Sequence, residues 1–243
     1  VLRQRDLAEA DRIVTLLTRE RGKLSAVAKG VKRPRSKLSA ALQPFCHSAV
    51  LLAEGRSLDV VSQARIVRFF HRLREDLTRV TCASHLVELT DRLVAEHAPA
   101  GQVFDLLRTA LCRLEEEGDP ELHMRAFELK LLRAVGYEPH FSACAQCGAS
   151  TGGDRIIYSA ATGGVLCVAC QTGASRPIVI CPGTVAAACH LLASTSEGVE
   201  RLALSPQVRG ELEAVLRAHA EYRIEGPLRN ARFLRRLSTG STP

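Results

Sequence analysis

Cys144, Cys147, Cys167 and Cys170 are the side chains whose type and spacing point most directly to chemistry. They stand as CAQC and CVAC, two Cys-x-x-Cys pairs with 19 residues between them. One such turn presents two sulfurs to a metal ion, and a second completes the tetrahedron that Zn²⁺ prefers. The gap falls in the range used by paired sites of this kind. Gly148, Gly152, Gly153, Gly163 and Gly164 allow the tight turns beside each pair. The pattern predicts one zinc ion. With Cys at all four positions no place is left for water or substrate, so the expected role is structural. Redox Cys-x-x-Cys motifs stand singly at a helix start after a strand, and neither pair has that setting. A four-Cys iron–sulfur cluster is the remaining alternative. Cys46, Cys82, Cys112, Cys181 and Cys189 lie among apolar neighbours and read as small buried hydrophobes. His219 falls on a helical apolar stripe and reads as a core or boundary residue, not a ligand.

No other constellation for catalysis is present. The chain has no HExxH, no PCxxC with an upstream HxE, no GxGxxG and no GxSxG. Gly22-Lys23 has the look of a P-loop ending, but Leu24 replaces the hydroxyl residue and Leu17 the first glycine. No enzymatic activity and no small-molecule substrate are expected.

The net charge is +7, and its distribution is uneven. Residues 1–80 hold 17 Lys and Arg against 8 Asp and Glu, while the rest holds 16 against 18. No acid occurs from Arg21 to Ala53. Within that stretch stand Arg21, Lys23, Lys29, Lys32, Arg33, Arg35 and Lys37. Such a block attracts polyanions. Membrane-binding basic segments carry an amphipathic apolar face, whereas Gly and Pro interrupt this one, so nucleic acid is the expected partner. No apolar run approaches the roughly 18 residues of a membrane span, and the charged opening VLRQRDLAEADR has no secretory core. Nine cysteines, an odd number, argue for a reducing compartment.

The elements that must position these groups fall into three zones. Up to residue 70, short apolar or alternating runs (Leu2–Arg5, Ile13–Leu17, Leu24–Val31, Ser48–Ala53, Leu58–Ser62) are punctuated by Gly22, Gly30, Pro34, Pro44 and Gly55. Five short strands with one basic loop fit an OB-type β-barrel, and an SH3-like barrel competes on pattern alone. From residue 71 the period changes to that of helices. Cys82, Leu86, Leu89 and Leu93 form one stripe; Phe104, Leu107, Leu111 and Leu114 a second; Met124, Phe127, Leu131 and Val135 a third. Asp119 is the expected N-cap of the third, with Pro120 at N1 and Gly136 as the stop. Three such helices suggest an antiparallel bundle. The third zone is the knuckle, residues 140–175, after which Val208, Leu212, Val215 and Tyr222 resume the helical stripe. The expected fold is thus α+β and multidomain: a barrel over 1–70, then a helical domain over 71–243 interrupted by the zinc knuckle.

Several segments together resemble one family. The run RDLAEADRIVTLLTRERGKLSAVAKGVKRPRSKL, the LQPF at Leu42–Phe45, the GRSLDVVSQARIV from Gly55, the stretch Phe127–Pro139 and the C-terminal GPLRNARFL are similar to the RecO recombination mediators. These are bacterial DNA repair proteins that act with RecF and RecR. The four-Cys knuckle is similar to that of the family's zinc-bearing branch. The resemblance implies an N-terminal OB-fold, a helical bundle with an embedded knuckle, and a place in the bacterial cytoplasm at the nucleoid. It implies binding of single- and double-stranded DNA, annealing of complementary strands, and a complex with RecR. That complex helps load RecA recombinase onto strands covered by single-strand-binding protein, whose acidic tail is a further expected partner.

The residues specify how such binding would work. Residues 1–80 offer only Phe45, Phe69 and Phe70 as aromatics. Binding is therefore expected through phosphates rather than stacked bases. Lys29, Lys32, Arg33, Arg35 and Lys37 on a mobile loop are the principal contacts, with Arg12, Arg21 and Lys23 secondary. Arg229, Arg232 and Arg236 share a helix face and form a candidate second basic patch. Two other readings stay open: a zinc-ribbon RNA-binding factor, and a structural adaptor whose basic loop takes an acidic protein tail.

Overall fold

The computed structural model describes residues 1–116 and 118–230. They form two compact units, residues 1–116 and 117 onward.

The first unit opens with strands β1 (Arg3–Asp6), β2 (Arg12–Thr18), β3 (Gly22–Ala28), β4 (His47–Ala53) and β5 (Asp59–Arg68). They form one sheet in the order β1-β2-β3-β5-β4, antiparallel except for the parallel β3–β5 pair. Period-2 alternation sends Val14, Leu16, Leu24, Ala26, Ala28 and Val61 to one face, where they pack with Val31 and Leu42 from the basic stretch. The expected closed barrel is instead an open, curled sheet. All four residues of β1 pair with β2, while β4 is kinked by register shifts at His47/Ser48 and Leu51/Leu52. A short edge and a bulged edge do not ladder with each other. Two backbone hydrogen bonds nonetheless bring the chain before β1 beside the chain before β4: Val1 donates to the Cys46 carbonyl (3.0 Å) and Phe45 donates to the Val1 carbonyl (3.2 Å).

Helices α1 (His71–Glu75), α2 (Leu77–Leu93) and α3 (Gly101–Glu115) complete this unit. Asp76 caps α2 by accepting from the Arg79 N–H at 2.8 Å. The apolar stripes bury Cys82, Leu86 and Leu89 on α2 and Leu107, Leu111 and Leu114 on α3. The α2–α3 linker lies against β3, with the His97 N–H donating to the Lys23 carbonyl at 2.8 Å. Gly22 is required there: its φ is +65°, and a Cβ would fall 1.9 Å from the Ala98 carbonyl oxygen.

The second unit contains α4 (Pro120–Ala134), a sheet of β6 (Ile156–Ser159), β7 (Gly164–Leu166) and β8 (Ile178–Ile180), and then α5 (Pro182–Ala193), α6 (Ser196–Glu200) and α7 (Pro206–Arg223). Asp119 caps α4, Pro120 sits at its first turn, and Gly136 follows its end at φ +82°. Helices α2 and α3 pack with each other in the first unit; α4 packs with α5, α6 and α7 in the second. The stripes fixed which face of each helix is apolar, not which neighbour covers it. Among the described residues, no helix is long and apolar enough to cross a membrane.

Candidate metal centre and candidate nucleic-acid interface

The knuckle is assembled on the β7-β6-β8 sheet. Strand β7 runs directly into Cys167, placing the second pair at the strand's end. The first pair is laced to the same strand from the other side. His140 donates to the Gly163 carbonyl (2.9 Å), Val165 to His140 (2.9 Å) and Ala145 to Val165 (2.8 Å). Gly164 permits this approach, because a Cβ there would sit 2.5 Å from the His140 carbonyl oxygen. Each pair closes its own turn: Gly148 donates to the Cys144 carbonyl at 2.8 Å, and Cys170 to that of Cys167 at 3.0 Å.

The result brings the sulfurs of Cys144, Cys147, Cys167 and Cys170 within 4.8 Å of one another. A tetrahedron with metal–sulfur bonds of about 2.3 Å has edges of about 3.8 Å, and Cys147 and Cys167 already lie 3.6 Å apart. The set is electrostatically unbalanced as bare thiols. Backbone N–H groups, that of Cys167 foremost, pull the Cys144 thiol down to about 6. Hydrogen bonding with the Cys147 and Cys167 sulfurs pushes Cys170 up to about 12. Four thiols this close cannot all ionise unless a cation takes the place of their protons, which is the condition a tetrathiolate metal site satisfies. The donor set therefore fits one metal ion.

Tyr158 and His219 brace the platform. The Tyr158 hydroxyl donates to Nδ1 of His219 (2.6 Å), whose Nε2 donates to the Tyr137 carbonyl (2.8 Å). Both ring nitrogens of this fully buried histidine are occupied within the protein. Burial lowers its pKa to about 4 and raises that of Tyr158.

The basic residues are not equivalent. Lys29, Lys32, Arg33, Arg35 and Lys37 are all exposed. Lys32 reaches Asp6 at 3.0 Å, leaving Lys29, Arg33, Arg35 and Lys37 without an acidic partner among the described residues. Their stretch, expected as a mobile loop, is a chain of hydrogen-bonded turns: Arg33 to Gly30 (3.1 Å), Ser36 to Arg33 (3.0 Å) and Leu42 to Leu38 (3.1 Å). Val31 and Leu42 anchor it in the core, and Asp11 accepts from the Gly30 N–H at 2.7 Å. Arg12 pairs with Asp6 (2.9 Å) and Arg21 with Asp59 (2.8 Å). Lys23 is buried, its ammonium donating to the Asp91 carbonyl at 2.5 Å. Arg229 is exposed, whereas Arg232 and Arg236 lie outside the described residues. Arg5, Arg56 and Arg65 are exposed on the first unit and were not singled out from the sequence. Their only signal was the overall basic excess.

The aromatic rings of the first unit are already engaged. Phe70 is buried, and Arg74 lies between Phe45 and Phe69, its guanidinium 5.7 and 4.3 Å from their centroids. Both Phe45 and Phe70 have left-handed backbones, at φ 67° and 56°.

Two family models match the chain: "Recombination protein O N terminal" over residues 1–70 and "Recombination protein O C terminal" over residues 74–232. Among curated relatives, the DNA repair protein RecO of Desulforamulus reducens is 38% identical, the match covering 98% of this chain and 92% of the relative. That of Symbiobacterium thermophilum is 39% identical over 96% of this chain and 94% of its own. That of Heliobacterium modesticaldum is 41% identical over 95% and 85%.

Proposed function

The chain belongs to the RecO family, and on that premise we propose that it is a non-enzymatic DNA-binding protein of recombinational repair. The carrying observation is the set Lys29, Arg33, Arg35 and Lys37, exposed and without acidic partners among the described residues, in the β3–β4 connection of a five-stranded sheet that is compatible with an OB-type unit. Lys32, Arg12 and Arg21 are secondary contacts, because each must leave or share a carboxylate to reach a phosphate. Lys23 takes no part; its ammonium is committed to Asp91.

Binding is led by phosphates and independent of sequence in this unit, where Phe70 is buried and Phe45 and Phe69 are half-buried against Arg74. It accommodates single- and double-stranded DNA alike. Neutralising phosphates on two strands lowers their mutual repulsion and leaves the Watson–Crick edges free, so annealing follows from the same contacts. The Cys144, Cys147, Cys167 and Cys170 site holds one zinc ion with a structural role, fixing two loops on the β7 strand. In the cell, this reading gives the protein RecR and single-strand-binding protein as partners, and the loading of RecA recombinase as the outcome.

The experiment is a strand-annealing assay with two complementary labelled 30-mers. Faster duplex formation in the presence of the protein, lost in an Arg33→Ala/Arg35→Ala variant, is expected. Preference for structured RNA over DNA of equal length would instead favour the RNA-binding reading.

A further inference from the structure

The second unit carries a cluster that neither the metal centre nor the basic stretch uses. Arg223, the last residue of α7, lies between Tyr137 and Tyr222, with its guanidinium carbon 5.4 and 5.5 Å from the two ring centroids. Both rings face solvent: Tyr137 is 40% exposed and Tyr222 51%. They are two of the chain's three tyrosines; the third, Tyr158, is buried.

The guanidinium makes no hydrogen bond or ion pair among the described residues, and its Nε is buried without a partner. The neighbouring acids are engaged elsewhere. Glu138 takes both arms of Arg133 at 2.8 Å, and Glu221 faces Arg217 at 3.6 Å and accepts from the Leu228 N–H. Glu225 is exposed and makes no ion pair with Arg223. Gly163 is what lets the guanidinium in, since a Cβ there would sit 2.8 Å from its Nη2.

A purely structural staple would account for the rings but not for the unfilled donors. The two Nη amino groups, beside two solvent-exposed tyrosine rings, match one nucleotide of a single strand. We propose that Tyr137, Tyr222 and Arg223 form a nucleotide-stacking site, the phosphate accepting from Arg223 and the base lying on Tyr222. This rests on the DNA-binding reading above and adds to it a contact with bases. Stacking covers the face of a base and leaves its pairing edge open, so the site is compatible with annealing.

The test compares oligothymidylate with an abasic strand of equal length, bearing the same phosphates, at fixed salt. Tyr222→Ala is expected to weaken binding to oligothymidylate about tenfold and to leave the abasic strand unchanged, while Tyr222→Phe stays near the parent. Equal affinities for parent and Tyr222→Ala, or equal losses on both strands, would overturn the proposal. Should Tyr222→Ala not fold, 5-iodouracil photocrosslinking of the unaltered protein decides. An adduct on Tyr137 or Tyr222 supports the site; adducts confined to the first unit reject it. If the unaltered protein binds neither strand, the phosphate reading falls with it. Steep salt dependence without any tyrosine effect removes the stacking site alone.

Discussion

His219 has no room for a second proton: Nδ1 accepts from Tyr158 and Nε2 donates to Tyr137. Its pKa is held at about 4 by burial, against about 6.5 in an unfolded chain. Above pH 6.5 the ring is neutral in both states and its contribution to stability is complete. As pH falls from 6.5 to 4, the unfolded chain takes up a proton that the folded ring refuses. Stability is therefore lost across that window, by about 3 kcal/mol in all. Urea midpoints measured between pH 7 and 4 should fall more steeply for the parent than for His219→Gln; parallel curves would show that this ring does not titrate as its contacts require. Lys23 gives the opposite lesson about reading charge. By type and position it belonged with the DNA contacts, yet it is buried on Asp91 through a contact 68 residues distant in sequence. Lys23→Met should cost about 1.5–3 kcal/mol of stability through the lost charged hydrogen bond, measured by chemical denaturation, with DNA affinity unchanged. Side-chain type and local spacing were enough to bring out the four-cysteine cluster, whose members lie within one compact module. They were not enough for Lys23, whose partner arrives from α2.

The elements divide along the same line. All five strands of the first sheet were legible, because alternation and glycine or proline punctuation are local. Strand β5 runs on to Arg68, six residues past its expected end, since its exposed second half has no apolar alternation to mark it. The β6-β7-β8 sheet escaped notice because runs such as IIYS, GVL and IVI are too short to carry a period. Helix α5 has no local cap; Glu211 of α7 accepts from the Cys181 N–H (2.8 Å) and the Thr184 hydroxyl (2.5 Å) in its place. Pro182 at its first turn was the local signal of its start. Cys144→Ser should lower the melting temperature and the zinc content of the purified protein together, while DNA affinity per folded molecule holds. Gly164→Ala removes no sulfur, yet its Cβ would meet the His140 carbonyl. It should weaken metal retention against a chelator severalfold; retention equal to the parent would show that the β7 approach does not organise the site.

Along the chain, the basic stretch and the four-cysteine cluster lie in different units. The acid-free stretch and its free cations belong to residues 1–116, and the four cysteines to the unit that follows. The basic excess marked the third of the sequence that holds the exposed cations Lys29, Arg33, Arg35 and Lys37. Which cations are free depended on the acids Asp6, Asp59 and Asp91, which the fold brings to Lys32, Arg12, Arg21 and Lys23. The central claim is that free cations of the first unit bind DNA through phosphates. Its most direct test is the salt dependence of affinity for a labelled single-stranded 30-mer, for the parent and for Arg33→Ala/Arg35→Ala. Each phosphate contact on a single strand contributes about −0.7 to the slope of log K against log salt. The account predicts a steep parent slope, reduced by about 1.4 in the double variant, at an unchanged melting temperature. Tight binding with a flat salt response, or a slope the double variant does not alter, would contradict it.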